Sequence, residues 1–445
     1  MTDPQPTSQI PHPSLSILGR KIVFSALVQY IGKGLQLVLA TVTLKLIAGF
    51  FAGSASYGIY AGITEYALFF SVVANLGIFA HVVRKMADDP LNGEIFVNSL
   101  VLRMVTALGF FILGITILFI MGSGFDMKDP TFLVGTILFL SALFFEYITS
   151  VCDGMLQANY LMGKATFALV LGRLVNFLGV LATIKLFFAL PYSSITLLFF
   201  ASTMVGSLVT AALSFYFVRQ KIKFRWTFDF KFMLNILKAS LPFGIISLIN
   251  SLYFRFLPDF FGHQSLGEGQ FGAFSISFRI AQVVSLFSTF LMFSALPGLK
   301  QYIDLKDWNK ARALYKKLWL ILAAGGILLV SFGSFFGEVL IETLSHKNYF
   351  LPEFWFVLPM MLLLAAISYG YDLVLITLFA VEKDRWFLKR EIIALLVAAV
   401  FFGVSWFMTD PQVRLFWIIL GAIAGESTMV LLGSLEVRKT LTQKA

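Results

Sequence analysis

The chain has 445 residues and a formal net charge of +10, with 58% hydrophobic and only 13% charged residues and a mean hydropathy of +0.86. Soluble domains run at about 45–50% apolar and about 25% charged, so this composition argues against both a soluble and a disordered protein. A single cysteine, Cys152, leaves neither a disulfide framework nor a cysteine metal site.

Met1 to Ser16 is polar, carries Pro4, Pro6, Pro11 and Pro13, and lacks a charged run leading into a cleavable apolar core. It is expected to be a tail rather than a signal peptide. Apolar runs follow at 22–50, 57–80, 95–121, 132–152, 166–188 and 195–218. Six more lie at 241–261, 270–297, 317–341, 354–381, 392–408 and 414–435. A lipid-crossing helix takes roughly 20–25 residues, so twelve use roughly 240–300 and leave no room for a second soluble domain.

The expected fold is an all-α polytopic membrane protein. Its twelve transmembrane helices form an N-lobe (22–218) and a C-lobe (241–435), flanked by cytoplasmic tails 1–21 and 436–445 and joined by a basic loop, 219–240. The lobes resemble each other where the second span of each begins. Tyr57-Gly58-Ile59-Tyr60 matches Phe271-Gly272-Ala273-Phe274, after Phe50-Phe51 and Phe260-Phe261 respectively. With six spans per half both lobes enter from one side, as parallel repeats about a pseudo-two-fold axis along the membrane normal.

On one side the tails and loops carry 24 Lys and Arg, against Lys128, Lys185, Lys347 and Arg414 on the other. This bias places both termini in the cytoplasm, in a multi-pass protein of the cell membrane. The net charge of +10 then reports topology and anionic lipid headgroups, not nucleic acid. The segment Leu305 to Lys317 alternates charged and apolar residues and is expected to lie as an amphipathic helix at that interface.

Charges inside the spans are costly and usually face a bundle interior or a wet cavity. Gln29, Lys33, Gln36 and Thr43 share one face of span 1, with Lys33 about 16 Å deep at ~1.5 Å per residue. That depth favours a cavity-facing role over a structural ion pair, whereas Lys45 is close enough to the outer end to reach the headgroups. In span 7, Ser247, Ser251 and Arg255 lead to Asp259, with Asn250 alongside; Arg255 and Asp259 are placed to pair with each other or to contact substrate. Pro258 frees a carbonyl one turn earlier and marks a hinge or gate.

Span 8 presents Ser275, Arg279, Gln282, Ser285 and Thr289 on one face. Arg279 and Glu65 each stand eight residues after the aromatic that opens the repeat. They either attract each other across the lobes or pair each within its own. Arg103, Arg173 and Glu146 read as a local N-lobe network, or as an entrance for an anion. Asp372 and Glu426 are C-lobe acids suited to a coupling proton, or to structural hydrogen bonds. No GxxxxGK[ST] loop is present, and His12, His81, His263 and His346 show no metal spacing, so no cofactor is expected. Gly333/Gly337 and Gly421/Gly425 are spaced for close helix packing.

The pattern resembles the polysaccharide-exporting flippases of the multidrug/oligosaccharidyl-lipid/polysaccharide exporter superfamily. The resemblance rests on Tyr57-Gly58-Ile59-Tyr60, Leu156-Gln157-Ala158, Asp259 followed by Gly272, Phe274 and Arg279, and Pro297 before Asp307, Lys310 and Ala311. Phe274 departs from the family's more usual Tyr. The related lipid II flippases carry two further spans, for which this chain has no room.

The resemblance implies export, from the inner to the outer leaflet, of a polyprenyl diphosphate bearing a sugar repeat unit. Lys33, Arg255 and Arg279, with Gln36, would form a cationic cleft for the headgroup. Glu65, Pro258, Asp259, Asp372 and Glu426 are the coupling or gating candidates. Expected partners are the lipid-linked oligosaccharide, membrane lipids, and a polysaccharide polymerase or other assembly proteins. A non-enzymatic transporter is therefore expected. A multidrug cation antiporter of the same superfamily shares the fold, but calls for net acid where the N-lobe spans are cationic. A membrane-embedded glycosyltransferase or polymerase needs a larger outer loop than Glu342 to Glu353 provides.

Overall fold

The computed structural model describes residues 15–51, 55–75, 91–121, 130–159, 161–266, 268–344, 351–381 and 383–443, with positions 78, 82, 86 and 89. They form helices and short connections, with no strand among the described residues. The tail before residue 15 lies outside them. The first half holds α1 (Leu15–Phe51), α2 (Ala55–Asn75), α3 (Gly93–Met121), α4 (Pro130–Ala158), α5 (Met162–Leu186) and α6 (Tyr192–Arg219). The second holds α7 (Phe230–Ser251), a π-helical turn (Leu252–Phe256), α8 (Leu257–Ser265), α9 (Glu268–Asp304), α10 (Trp308–Leu344), α11 (Val357–Ala380), α12 (Asp384–Trp406) and α13 (Pro411–Gln443).

In lipid a backbone must satisfy its own hydrogen bonds, so apolar runs of this length close into helices. Each of the twelve expected runs has its helix, the seventh being split into α7, the π turn and α8. Among the described residues nine helices are individually long and apolar enough to cross a membrane, and the bent pair Phe230–Pro242 and Gly244–Gly262 makes a tenth crossing. The other two, α9 and α12, have 37 and 23 residues and carry more polar side chains. Hydroxyls within the spans bond back one turn, as Thr64 does to Tyr60, Ser277 to Ala273 and Thr377 to Leu373.

The packing repeats between the halves. In the first, α1 packs on α5, α2 on α3 and α4, α3 on α4, and α4 and α5 on α6. In the second, α7 packs on α12, α9 on α10 and α11, α10 on α11, and α11 and α12 on α13. Each of these contacts in one bundle has its counterpart in the other. This is an all-α membrane fold of two six-span bundles related by a pseudo-two-fold axis. The main seam between them is α2 against α9, with α2 against α7 beside it.

The bundles are joined at one end and separate at the other. Phe51, Tyr57 and Phe199 belong to one continuous apolar cluster with Leu266, Phe271, Ile341, Phe354, Val357 and Leu415. All of these sit at helix ends remote from the two termini. Nearer the termini there are two cores, with Ile236 at the start of α7 packing into the first. One is built around Phe96, Met155 and Val218, the other around Phe387, Met429 and Val437. The chain between them is anchored on the first bundle, where Asn98 bonds Thr227 and Asp229 and Phe96 stacks on Phe224.

Two local expectations change. Leu305 to Lys317 does not form a separate interfacial helix: α10 starts at Trp308 and continues into the span, kinking only at Phe336 before it ends at Leu344. Ala311, Leu318 and Leu322 continue a single buried stripe across the polar–apolar boundary, with no Gly or Pro to stop it. The sharp bend of the seventh crossing lies at Pro242, where the axes differ by 44°. Ahead of Pro258 the chain instead widens into the π turn, because proline supplies no N–H to the preceding turn.

Candidate functional site

The lobe seam gathers four charged residues that the sequence scatters over more than 200 positions. Glu65 comes from the middle of α2, Arg255 from the π turn, Asp259 from the first turn of α8 and Arg279 from α9. The Arg255 Nε donates to Glu65 Oε2 at 2.5 Å, and an Arg279 terminal nitrogen lies 3.8 Å from Glu65 Oε1. Glu65 is 3% exposed, and the arginines 18% and 16%. The attraction between Glu65 and Arg279 therefore runs across the lobes rather than within each one. Arg255, expected beside Asp259, turns to Glu65 as well.

Aromatic rings close the seam around these charges. Arg279 lies over the Tyr60 ring at 5.8 Å, Tyr60 stacks on Phe200 at 4.8 Å, and Phe69 meets Phe256 edge-on at 4.6 Å. Burial strengthens the ion pair and also makes any unmatched group costly. Oδ1 of Asp259, and Nε and one terminal nitrogen of Arg279, are buried without a hydrogen-bond partner among the described residues. The cluster thus brings two guanidinium and two carboxyl groups together, yet leaves them incompletely bonded. A doubly charged phosphate group offers guanidinium partners more acceptors than one carboxylate does.

A second polar cluster lies inside the second bundle. The Tyr253 hydroxyl reaches Glu391 at 3.1 Å and Glu426 at 3.0 Å, and the Asn250 amide donates to Tyr253 at 2.9 Å and to Glu426 at 3.1 Å. Tyr371 donates to Glu391 from the other side. One tyrosine proton thus faces two carboxylates. Glu391 is fully buried but falls outside the expected span, because α12 begins at Asp384, eight residues before the apolar run. Its signal is the helical stripe Phe387, Glu391, Ala394, Ala398, Phe402, all buried. Asp372 accepts from Ser288 at 2.5 Å, tying α11 to α9.

The first bundle divides the network expected of its charges. Arg173 pairs with Glu146 at 3.4 Å. Arg103 does not join them; it donates to the backbone and side chain of Asn75 and lies 4.7 Å over the Tyr147 ring. Lys45 is exposed and Gln36 half-buried on α1, and among the described residues no contact joins Gln36 to the seam. The side chains of Lys33 and Gln29 lie outside the described residues. No group of three or more metal-ligating side chains occurs among those described.

A family model described as polysaccharide biosynthesis protein matches residues 18–303. No curated protein matches the sequence. Among solved structures, the inward-facing conformation of a multidrug resistance MATE family transporter of the MOP superfamily superposes with a TM-score of 0.71 at 15% identity, over 91% of this chain and 95% of that one. A MOP superfamily transporter from Pyrococcus furiosus, reported for the reverse polarity of its binding pocket, gives 0.68 at 15% identity over 95% and 96%. The outward-facing conformation of a multidrug MATE transporter gives 0.68 at 16% identity over 95% and 96%. At these identities the likeness is one of fold.

Proposed function

The chain belongs to the polysaccharide biosynthesis protein family, and from that premise we propose that it is a flippase for a polyprenyl-diphosphate-linked oligosaccharide, working by alternating access between its two lobes. The lobes are 22–218 and 241–435, and they rock about 219–240, whose second half already forms the start of α7. Basic residues concentrate at the end bearing both termini, which assigns that end to the cytoplasm. The apolar seal at the other end then makes this the inward-facing state, in the cell membrane.

The observation that carries this reading is Glu65 held between Arg255 and Arg279 across the seam. A diphosphate entering between the lobes competes with Glu65 for both arginines. Once it holds them, the ion pair that fastens α2 to the second lobe is released, and the outer seal loses its electrostatic part. Lys33 and Gln36 on α1 supply further headgroup contacts, while Pro258 and Asp259 flank the π turn as the hinge. The lipid tail stays in the bilayer throughout. An inside-negative potential favours outward movement of the headgroup by about 2.3 kcal/mol per charge per 100 mV.

The test is leaflet exchange of a fluorescent polyprenyl-diphosphate oligosaccharide in vesicles holding the purified protein. Exchange is expected to require the protein and to fall at least ~10-fold in Arg255→Ala, Arg279→Ala and Lys33→Ala, the equivalent of about 1.4 kcal/mol on the barrier. A second reading, an organic-cation antiporter, is favoured by Glu391 and Glu426 facing one tyrosine proton, with Asp372 nearby as a further acid. Uptake of an organic cation driven by a proton or sodium gradient, with no lipid exchange, would establish it instead.

A further inference from the structure

We propose that the cavity among α4, α5 and α6 is the saccharide subsite of the substrate, taking a neutral, hydroxyl-rich sugar residue while the seam arginines hold the diphosphate. This rests on the flippase reading above and adds where the sugar is recognised. The cavity holds about 240 Å³, the room of roughly eight waters at ~30 Å³ each. It lies between the later turns of α4 and the middle turns of α5 and α6.

Its lining sets polar side chains among apolar surface. Here nine of the twelve lining residues carry a hydroxyl, amide or charge. Glu146, Asp153, Arg173 and Asn176 offer carboxylate acceptors, guanidinium donors and an amide, and the hydroxyl of Thr203, whose proton goes to the Phe199 carbonyl, can accept. Such a mixture matches a ring of hydroxyls, each of which donates and accepts. Two carboxylates against one guanidinium also repel a phosphate, which directs the diphosphate elsewhere.

Two further observations point to an absent ligand. The Oδ1 of Asn176 is buried without a hydrogen-bond partner among the described residues, on a side chain only 9% exposed. In the second bundle the corresponding helices α11, α12 and α13 surround Tyr253 of the π turn, whose ring packs on Gly425 and whose hydroxyl lies within hydrogen-bond distance of both Glu391 and Glu426. In the first bundle Gly206 of α6 faces Asn176 and Gly172 instead.

The test compares binding of two fluorescent probes to the purified full-length protein: undecaprenyl diphosphate bearing a neutral pentasaccharide, and undecaprenyl diphosphate without sugar. Organic-cation binding is measured alongside with tetraphenylphosphonium. The native protein is expected to prefer the glycosylated probe at least tenfold. Asn176→Leu and Thr203→Leu, which fill the cavity, are expected to reduce that preference below twofold, whereas Arg255→Ala weakens both probes alike. Retained binding of the sugar-free probe shows that the cavity variants fold. A native protein without preference for sugar, or cavity variants that keep it, overturns the subsite while leaving the flippase reading standing. Failure to bind either lipid, with tight tetraphenylphosphonium binding, overturns the flippase reading itself.

Discussion

At the scale of single residues the seam depends on Glu65, which alone faces two guanidinium groups from the opposite lobe. Removing one member of a buried pair leaves its partners as uncompensated charges, at a cost of about 3–5 kcal/mol. Glu65→Gln is therefore expected to lower the thermal midpoint sharply. Glu65→Arg and Arg279→Glu should each abolish transport, and the double swap should recover at least ~10-fold of it, because the attraction is restored with its sign reversed. A swap no better than either single reversal would remove the cross-lobe pair from the mechanism. Gly172 is constrained by close approach rather than by charge. A Cβ there would lie 2.6 Å from the Gly206 carbonyl oxygen and 1.8 Å from Thr210 Oγ1. Since backbone cannot yield as a side-chain tip can, Gly172→Ala should cost about 1–3 kcal/mol, read as a lower melting temperature.

At the scale of elements, the seventh crossing is the least regular, with a 44° bend at Pro242 and a π turn before Pro258. A π turn widens the helix by one residue, and Arg255, which pairs with Glu65, lies within it. Pro258→Ala, by permitting a regular helix, should rotate Arg255 out of the seam and slow exchange about as much as Arg255→Ala; an unchanged rate would show the π turn to be incidental.

The start of α10 offers a pH-dependent element outside the spans. The Asp307 carboxylate caps the helix through the Lys310 N–H at 3.1 Å and pairs with the Lys310 ammonium at 2.8 Å. These Lys310 hydrogen bonds hold the Asp307 carboxyl below its usual range. A depressed carboxyl stabilises the fold above its unfolded value, and that contribution is lost as pH falls through the depressed one. Hydrogen exchange at the first turn of α10 should therefore quicken in acid, and Asp307→Ala should show the quickened rate at every pH.

At the scale of the whole molecule, joined at one end and parted at the other, two expectations can be read by labelling. Cys152 is buried and does not interfere. A cysteine at Ala445 should react with a membrane-impermeant maleimide only after the membrane is opened, if the termini are cytoplasmic. The seal around Phe51, Phe271 and Phe354 should resist labelling in the unliganded protein and become reactive when the lipid-linked oligosaccharide is present. Labelling of the seal without substrate, and protection by it, would reverse the assignment of access state.

Composition and hydrophobic periodicity by themselves determined the class, the twelve helices and their grouping into two repeated halves. Those properties arise from the demands lipid makes on each segment separately, and 58% apolar residues in runs of spanning length permit little else. The repeat aligned Glu65 with Arg279, but left open whether they meet, because pairing depends on how two lobes are set against each other. Tertiary structure decided that, and set Arg255 of the π turn against Glu65 of α2 as well. It also disclosed Glu391 and Tyr253, whose roles arise from three helices converging. The open cavity around Asn176 belongs to this second kind as well: its walls come from α4, α5 and α6, and no one of those sequences contains a space.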